Sequence, residues 1–279
     1  TPTGFTTMGV VAIGDEVFDE NGKPCRVVAK SEIDFREQAY RITFKDGEVI
    51  EAGENHQWYG QWQSNKARTE GVVTTDWLYR RSRAPSRRKD RSLDFRIPIN
   101  NALETAAVDL PISPYLMGFW LGNGHHCKPE ITVMTQDMDT VLAKVRANHL
   151  VQSLWSNVGN SKIARIPDLK KVLVQSFHYK IIPPAYLRAS REQRLLLLQG
   201  LMDSDGCISN RKGQGIYNST EKPLADSVSE LLWTLGIKNA VTYADCTQRC
   251  DWGKKSIECG RIATGETLYT VKFTVHNDV

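Results

Sequence analysis

Two apolar segments with the same ending constrain this chain more than anything else in it. SPYLMGFWLGNG at 113–124 and RLLLLQGLMDSDG at 194–206 both run at helical periodicity and finish on a polar residue and a glycine, 82 positions apart. Gly118 and Gly122 stand four residues apart, as do Gly200 and Ser204, so each helix presents a stripe of small residues on one face. A glycine inside a helix costs about 1 kcal/mol relative to alanine. A matched set in two helices needs a packing reason, and close crossing of two backbones supplies one. Each helix is followed by strand, helix and strand patterns, which predicts a pseudo-two-fold domain with its axis between the paired helices.

The ends of these helices carry the chemistry. Gly124 and Gly206 are expected as left-handed helix terminators. Asp205 precedes the second of them, and a carboxylate there faces the negative end of the helix dipole, unfavourable by roughly 0.3–1 kcal/mol. A divalent cation would compensate it. Two such ends brought together would set their polar side chains around a shared metal and a scissile phosphate. The corresponding position of the first helix is Asn123, whose neutral amide binds a hard cation much more weakly than a carboxylate.

The remainder of the 279 residues is long enough for two domains. Apolar residues make up 41% and charged residues 24%, an ordinary globular balance, and no apolar run is long enough for a bilayer. No secretory signal is read in the opening residues, so a cytoplasmic location and no membrane partner are expected. Cys246, Cys250 and Cys259, with His125 and His126 upstream, lack the paired two-residue spacing usual for zinc, so ordinary thiols are expected. Residues 10–60 read as short strands with hairpin turns at Glu20-Asn21-Gly22-Lys23 and Lys45-Asp46-Gly47. YRRSRAPSRRKDR then gathers Arg80, Arg81, Arg83, Arg87, Arg88, Lys89 and Arg91 without helical period, in keeping with a solvated linker or with phosphate contact along DNA. Helical patterns at 113–124, 136–147, 167–176, 191–204 and 221–235 alternate with strands such as EITVM, GIYNS, KNAVTYA and LYTVKFTV, and the change of texture falls near 95–110.

Both glycine-ended helices resemble the LAGLIDADG motif. KIIPPAYLRASREQRLLLLQGLMDSDGCIS and STEKPLADSVSELLWTLGIKNAV are similar to the second half of monomeric, intein-borne LAGLIDADG homing endonucleases, and the resemblance spans residues 110–279. It implies an α+β fold of two αββαββα-like halves, about 110–185 and 186–279, within an endonuclease domain at 96–279. It also implies a monomer that cleaves a long, specific double-stranded DNA site with Mg2+, for which Ca2+ or Mn2+ can substitute in vitro. The carry-over makes Asp205 a metal-binding carboxylate beside the backbone of Ser204, with Asn123 and Gly122 as the counterparts on the first helix, and Lys180 and Lys272 as basic residues around the centre. Polar residues on the sheets would read bases: Lys128 and Glu130 in the first half, and Asn210, Arg211, Lys212, Gln214 and Tyr217 in the second. Asn123 departs from the pattern and implies a centre that nicks one strand or only binds. Natural decay and an introduced substitution both account for it.

TPTGFTTMGVVAIGDEVFDENGKPCRVV resembles the opening of bacterial and phage inteins, and EVIEAGENHQWY resembles the block whose histidine assists the first acyl shift, here His56, with Gly53 in place of that block's usual threonine. This implies a mostly β partial Hint domain over 1–95, its basic linker at about 61–95. The chain opens on Thr1 where a Cys or Ser nucleophile is needed, and Asp278 follows His276-Asn277, so splicing is not expected of the chain as written. The alternatives are a splicing-element fragment and a DNA-binding module without cleavage activity.

Overall fold

A computed structural model describes residues 1–32, 36–45, 47–64, 67–83, 94–156, 159–173, 180–209, 213–245 and 267–274. The chain divides into two compact units, Val27–Asn100 on the one hand, and Thr1–Arg26 with Asn101–Val279 on the other. The first 26 residues thus pack with the larger unit.

They contribute a hairpin, β1 (Glu16–Phe18) with β2 (Pro24–Arg26). Its turn lies where the sequence places it. The Asp19 carboxylate accepts from the backbone N–H of Asn21 at 2.9 Å and of Lys23 at 2.8 Å, and Gly22 takes a positive φ of 79° that other residues adopt only with strain.

The smaller unit is mostly β. Strand β3 (Ala39–Thr43) pairs with β4 (Val49–Gly53), while β5 (Gln57–Ser64) lies between β6 (Ala67–Thr74) and β7 (Phe95–Arg96), all antiparallel. Trp58, Val73 and Leu78 form its small core, and the Trp58 indole N–H donates to the buried Thr75 hydroxyl at 2.9 Å. Helix α1 (Thr75–Arg83) corrects the linker expectation for Arg80, Arg81 and Arg83. Leu78 turns inward, and each arginine finds a local partner. Arg80 pairs with Asp76 at 2.8 Å, Arg81 donates to the Gln63 carbonyl at 2.6 Å and lies over Trp77, and Arg83 lies over Tyr79. Arg87, Arg88, Lys89 and Arg91 fall outside the described residues.

The larger unit repeats one pattern twice. The first copy runs α2 (Pro114–Asn123), β8 (Glu130–Met134), α3 (Met138–Arg146), β9 (Ser153–Ser156) and β10 (Ser161–Arg165). A 3-10 turn (Pro167–Leu169), α4 (Lys170–Leu173) and α5 (Pro184–Leu187) lead to the second copy. That copy runs α6 (Arg191–Asp205), β11 (Gly206–Ile208), β12 (Gly215–Ser219), α7 (Lys222–Thr234), β13 (Asn239–Asp245) and β14 (Thr267–Phe273). The order β8-β10-β9 of the first sheet corresponds to β12-β14-β13 in the second, where β11 adds an edge strand beside β12, and every pairing is antiparallel. The fold class is α+β, as the sequence predicts. The copies differ at one hairpin. The first reduces to a single bridge from Gly124 to Ile131, whereas the second is a ladder pairing Gly206–Ile208 with Gly215–Tyr217.

Helix α2 is buried on all sides from Tyr115 to Leu121, which is why its sequence is apolar throughout instead of amphipathic. Pro114 starts it, and a Ser190–Gln193 capping box starts α6. Arg194, fully buried on α6, donates to the carbonyls of Ala189, Thr234 and Leu103, and so fastens residues 101–105 to the unit. Among the described residues no helix is long and apolar enough to cross a membrane.

Candidate functional site

Helices α2 and α6 cross where the glycines are. A Cβ on Gly118 would fall on the Leu197 carbonyl oxygen, one on Gly200 on the Tyr115 carbonyl oxygen, and one on Gly122 on the Ser204 hydroxyl. These contacts ascend together along both helices, so the two run parallel with their C-termini at the same end. There the Asn123 side-chain amide donates to the Ser204 carbonyl at 3.3 Å, which sets Asn123 and Asp205 at abutting helix ends.

The terminator expectation for Gly124 and Gly206 is corrected. Both are extended, at φ −86°, ψ 154° and φ −89°, ψ 160°, because the chain passes straight from helix into strand pairing. Glycine is required there for room: a Cβ on Gly124 would strike the Trp120 side chain and carbonyl, and one on Gly206 would strike Met202.

Two parallel helices bring two negative dipole ends together, and Asp205 adds a carboxylate. Lys180 answers that charge. It is 5% exposed, and its ammonium donates to the carbonyls of Trp120 at 3.0 Å, Gly122 at 3.2 Å and Gly124 at 2.8 Å, capping α2. Burial lowers its pKa to about 8, with Asp205 and Glu221 acting in the opposite sense. Glu221, just before α7, accepts from the Lys180 backbone N–H at 3.0 Å and faces His126 at 3.7 Å. The resemblance implied Lys180 as a basic residue around the centre, and the sequence reading missed Glu221.

The donor set fits a hard divalent ion on one side only. The difference is the carboxylate of Asp205, since the Ser204 carbonyl beside it also accepts a hydrogen bond, from Asn123; Mg2+ commonly takes one or two carboxylates and completes its shell from water and substrate phosphate. On the other side Asn123 is neutral and gives its NH2 to Ser204, while the Gly122 carbonyl already accepts from Lys180. Among the described residues no group of three or more His, Cys, Asp or Glu side chains is placed to hold a metal, so an ion here would rest on a single carboxylate. Cys25, Cys127 and Cys207 are exposed free thiols, and Cys246, Cys250 and Cys259 lie outside the described residues.

A second polar cluster locks the copies together. The Tyr115 hydroxyl donates to Asp203 at 2.9 Å, Lys144 on α3 donates to the same carboxylate oxygen at 2.7 Å, and the lysine lies over the Tyr115 ring. Burial, then Asp203, drives the Tyr115 pKa far upward. The Leu-Met-Asp-Ser-Asp run gave no sign of this role for Asp203.

Strand alternation decides which proposed base readers face outward. Tyr217 does not: Gly215 and Tyr217 point to the helices, and Tyr217 is 1% exposed, so that expectation is corrected. Glu130 is on the outward face, opposite Arg165, but at 7% exposure it is covered there and not presented to solvent. Lys128 is exposed in the loop before β8, Gln214 is half-buried before β12, Lys272 is exposed on β14 between Ile216 and Ala240, and Asn210, Arg211 and Lys212 lie outside the described residues. The outward faces instead carry side chains the sequence reading passed over. In the first sheet these are Arg165, opposite Glu130 and Ser153, and Trp155, opposite Ile163. In the second they are Asn218, Thr270 and Thr242 in one cross-strand row, where the Thr270 hydroxyl donates to the Asn218 side chain at 2.9 Å. Counting inward from the buried Val271 and Phe273 would have found them. In the smaller unit, the exposed His56 meets Trp58 edge-on at 4.7 Å, and its carbonyl accepts from the Thr75 N–H at 3.0 Å.

Residues 192–272, which hold α6 and nearly all of the second copy, match the family model described as LAGLIDADG-like domain. A replicative DNA helicase DnaB of Mycobacterium intracellulare is 31% identical over 290 residues, covering 98% of this chain and 45% of that protein. The DnaB of Mycobacterium leprae is 50% identical over 58 residues, 21% of this chain and 10% of that protein. The chain therefore spans less than half the length of these relatives. Crystal structures of I-DmoI in complex with DNA and Ca, and with DNA and Mn, align over 59% of the chain at 14% identity and a TM-score of 0.36, covering 83% and 89% of those chains.

Proposed function

We propose that the larger unit is the endonuclease of a mobile intein, binding double-stranded DNA along the outward faces of its two sheets and hydrolysing a phosphodiester at the paired helix ends. The observation that carries this reading is the crossing of α2 and α6, which delivers Asp205 and Asn123 to one point. A divalent ion bound there would polarise a phosphoryl oxygen and supply a nucleophilic water. The chain's own residues do the rest. Asp205 with the Ser204 backbone holds the ion, Lys180 neutralises the α2 end, and Arg165, Trp155, Asn218, Thr242, Thr270 and Lys272 meet the duplex. With both copies in one chain, a monomer suffices.

Asn123 makes the centre unequal, and the activity that follows is nicking of one strand. The smaller unit fits the splicing part of such an element, with His56 as its assisting base. The extent of the M. intracellulare match supports an inserted element, since 98% of this chain accounts for 45% of a helicase sequence. On this reading the DNA target is the helicase gene without the insert.

The test is a supercoiled plasmid carrying that uninterrupted site, with Mg2+. The chain should produce open circles, Asn123→Asp should produce linear DNA, and Asp205→Asn should bind without cutting. If Asn123→Asp neither cuts nor nicks that DNA, the endonuclease reading is wrong. Binding without nicking by the unaltered chain, together with cutting by Asn123→Asp, would instead identify a DNA-binding module that has lost cleavage through this one residue.

A further inference from the structure

The hydroxyl of Tyr217 is a feature of the described residues that packing does not account for. It is buried with no hydrogen-bond partner, and leaving a hydroxyl so costs about 1–3 kcal/mol, so phenylalanine would be the better residue for packing alone. Its position is specific. Tyr217 pairs across the β11–β12 ladder with Gly206, the residue directly after Asp205, and its ring points to the helix side of the sheet. Burial, then the charges of Asp205 and of Glu221, keeps the phenol protonated far above its usual range, so it is a donor at every working pH. Lys180 feels the same two carboxylates. Tyr217, paired with the residue that follows Asp205, is thus an unused donor beside the end of α6, and Lys180 is a buried cation on the end of α2.

We propose that Tyr217 is a positioning residue of the reaction centre: its hydroxyl donates to a water shared with the Asp205 carboxylate, fixing that carboxylate in the orientation that receives a divalent ion. The inference rests on the endonuclease reading in taking Asp205 as the ion-holding group. It accounts for a tyrosine instead of a phenylalanine at an inward position of β12. It also supplies, in part, the support that the neutral Asn123 does not give. Partners of this outer kind typically change metal affinity by about 10–100-fold when removed.

The experiment is calorimetric titration of Mn2+ into the whole chain, parent and variants, beside thermal melting of each without metal. Tyr217→Phe should weaken Mn2+ binding about tenfold while leaving the melting temperature equal or higher, because the change removes an unpartnered hydroxyl. A purely structural tyrosine would change the melting temperature and leave Mn2+ affinity alone. Tyr217→Phe with parental Mn2+ affinity, while Asp205→Asn abolishes binding, overturns the role of Tyr217 and spares the centre. Asp205→Asn with parental Mn2+ affinity overturns both.

Discussion

Substituting Gly200 by alanine tests the helix crossing through the sign of its effect. In an exposed helix the change would stabilise by about 1 kcal/mol. Here the new Cβ would meet the Tyr115 carbonyl oxygen and lie 2.7 Å from the Phe119 nitrogen. Both obstacles are backbone of a helix buried on every side, so no side chain can swing away and the helices must part. Overpacking costs about 1–3 kcal/mol, and rigid backbone obstacles put this site at the upper end. Set against the helix gain, the net is a loss of about 2 kcal/mol. For a unit of roughly 200 residues that lowers the melting temperature by about 4–8 °C. Gly118→Ala meets the mirror-image obstacle at the Leu197 carbonyl, and one separation of the helices relieves both. The double variant should therefore lose clearly less than the two single losses added. Circular-dichroism melts of the four proteins measure all of this. An alanine at 200 that melts at or above the parent would refute the close crossing, and with it the delivery of Asp205 to Asn123.

Three further predictions follow from the buried polar groups. The folded pKa of Lys180 is about 8 against 10.5 when free, so below pH 8 both states hold the proton and the burial penalty is full. Between those values only the unfolded state holds it, and the contribution of Lys180 to stability should rise by up to about 1.4 kcal/mol per pH unit. Urea unfolding of the parent and Lys180→Met from pH 7 to 10 should show the gap in favour of the parent widening, and a flat gap would count against the buried ammonium. Tyr115→Phe removes a bond to Asp203 but leaves Lys144 on that carboxylate, so the loss should be about 1–2 kcal/mol, and an unmoved denaturation midpoint would show that the cluster does not tie the copies. Arg194→Met strands the carbonyls of Ala189, Thr234 and Leu103 and should cost about 3 kcal/mol or more, with limited proteolysis then starting within residues 101–105; cleavage elsewhere first would argue against that anchor.

The helix seam was legible because glycine in a helix is costly and the repeat is internal to the chain. The same text gave the close crossing and the position of Asp205, and the resemblance implied the α+β class. It misled at Gly124 and Gly206, where glycine is needed for want of space and not for its freedom at positive φ, two demands that look identical in a sequence. Tyr217 was misassigned because alternation fixes which residues share a face but not which face is inward, and only the burial of Val271 and Phe273 resolves that. Glu221, Asp203 and Lys144 could not be found from spacing, since each acts on a partner at least 41 residues away in the chain. Arg80, Arg81 and Arg83 read as linker because their helix has few apolar residues and draws on ring and carbonyl contacts instead.

The unequal hairpins give the molecule a head and a tail. One copy reaches out with a laddered arm and the other with a single bridge, so turning the protein end for end does not restore it. A perfectly inverted repeat would offer both copies the same text, yet only one has the longer arm with which to grasp it. On the proposed function, a duplex gripped by such a protein would be held with a polarity. The unequal chemistry at Asn123 and Asp205 would then always fall on the same strand.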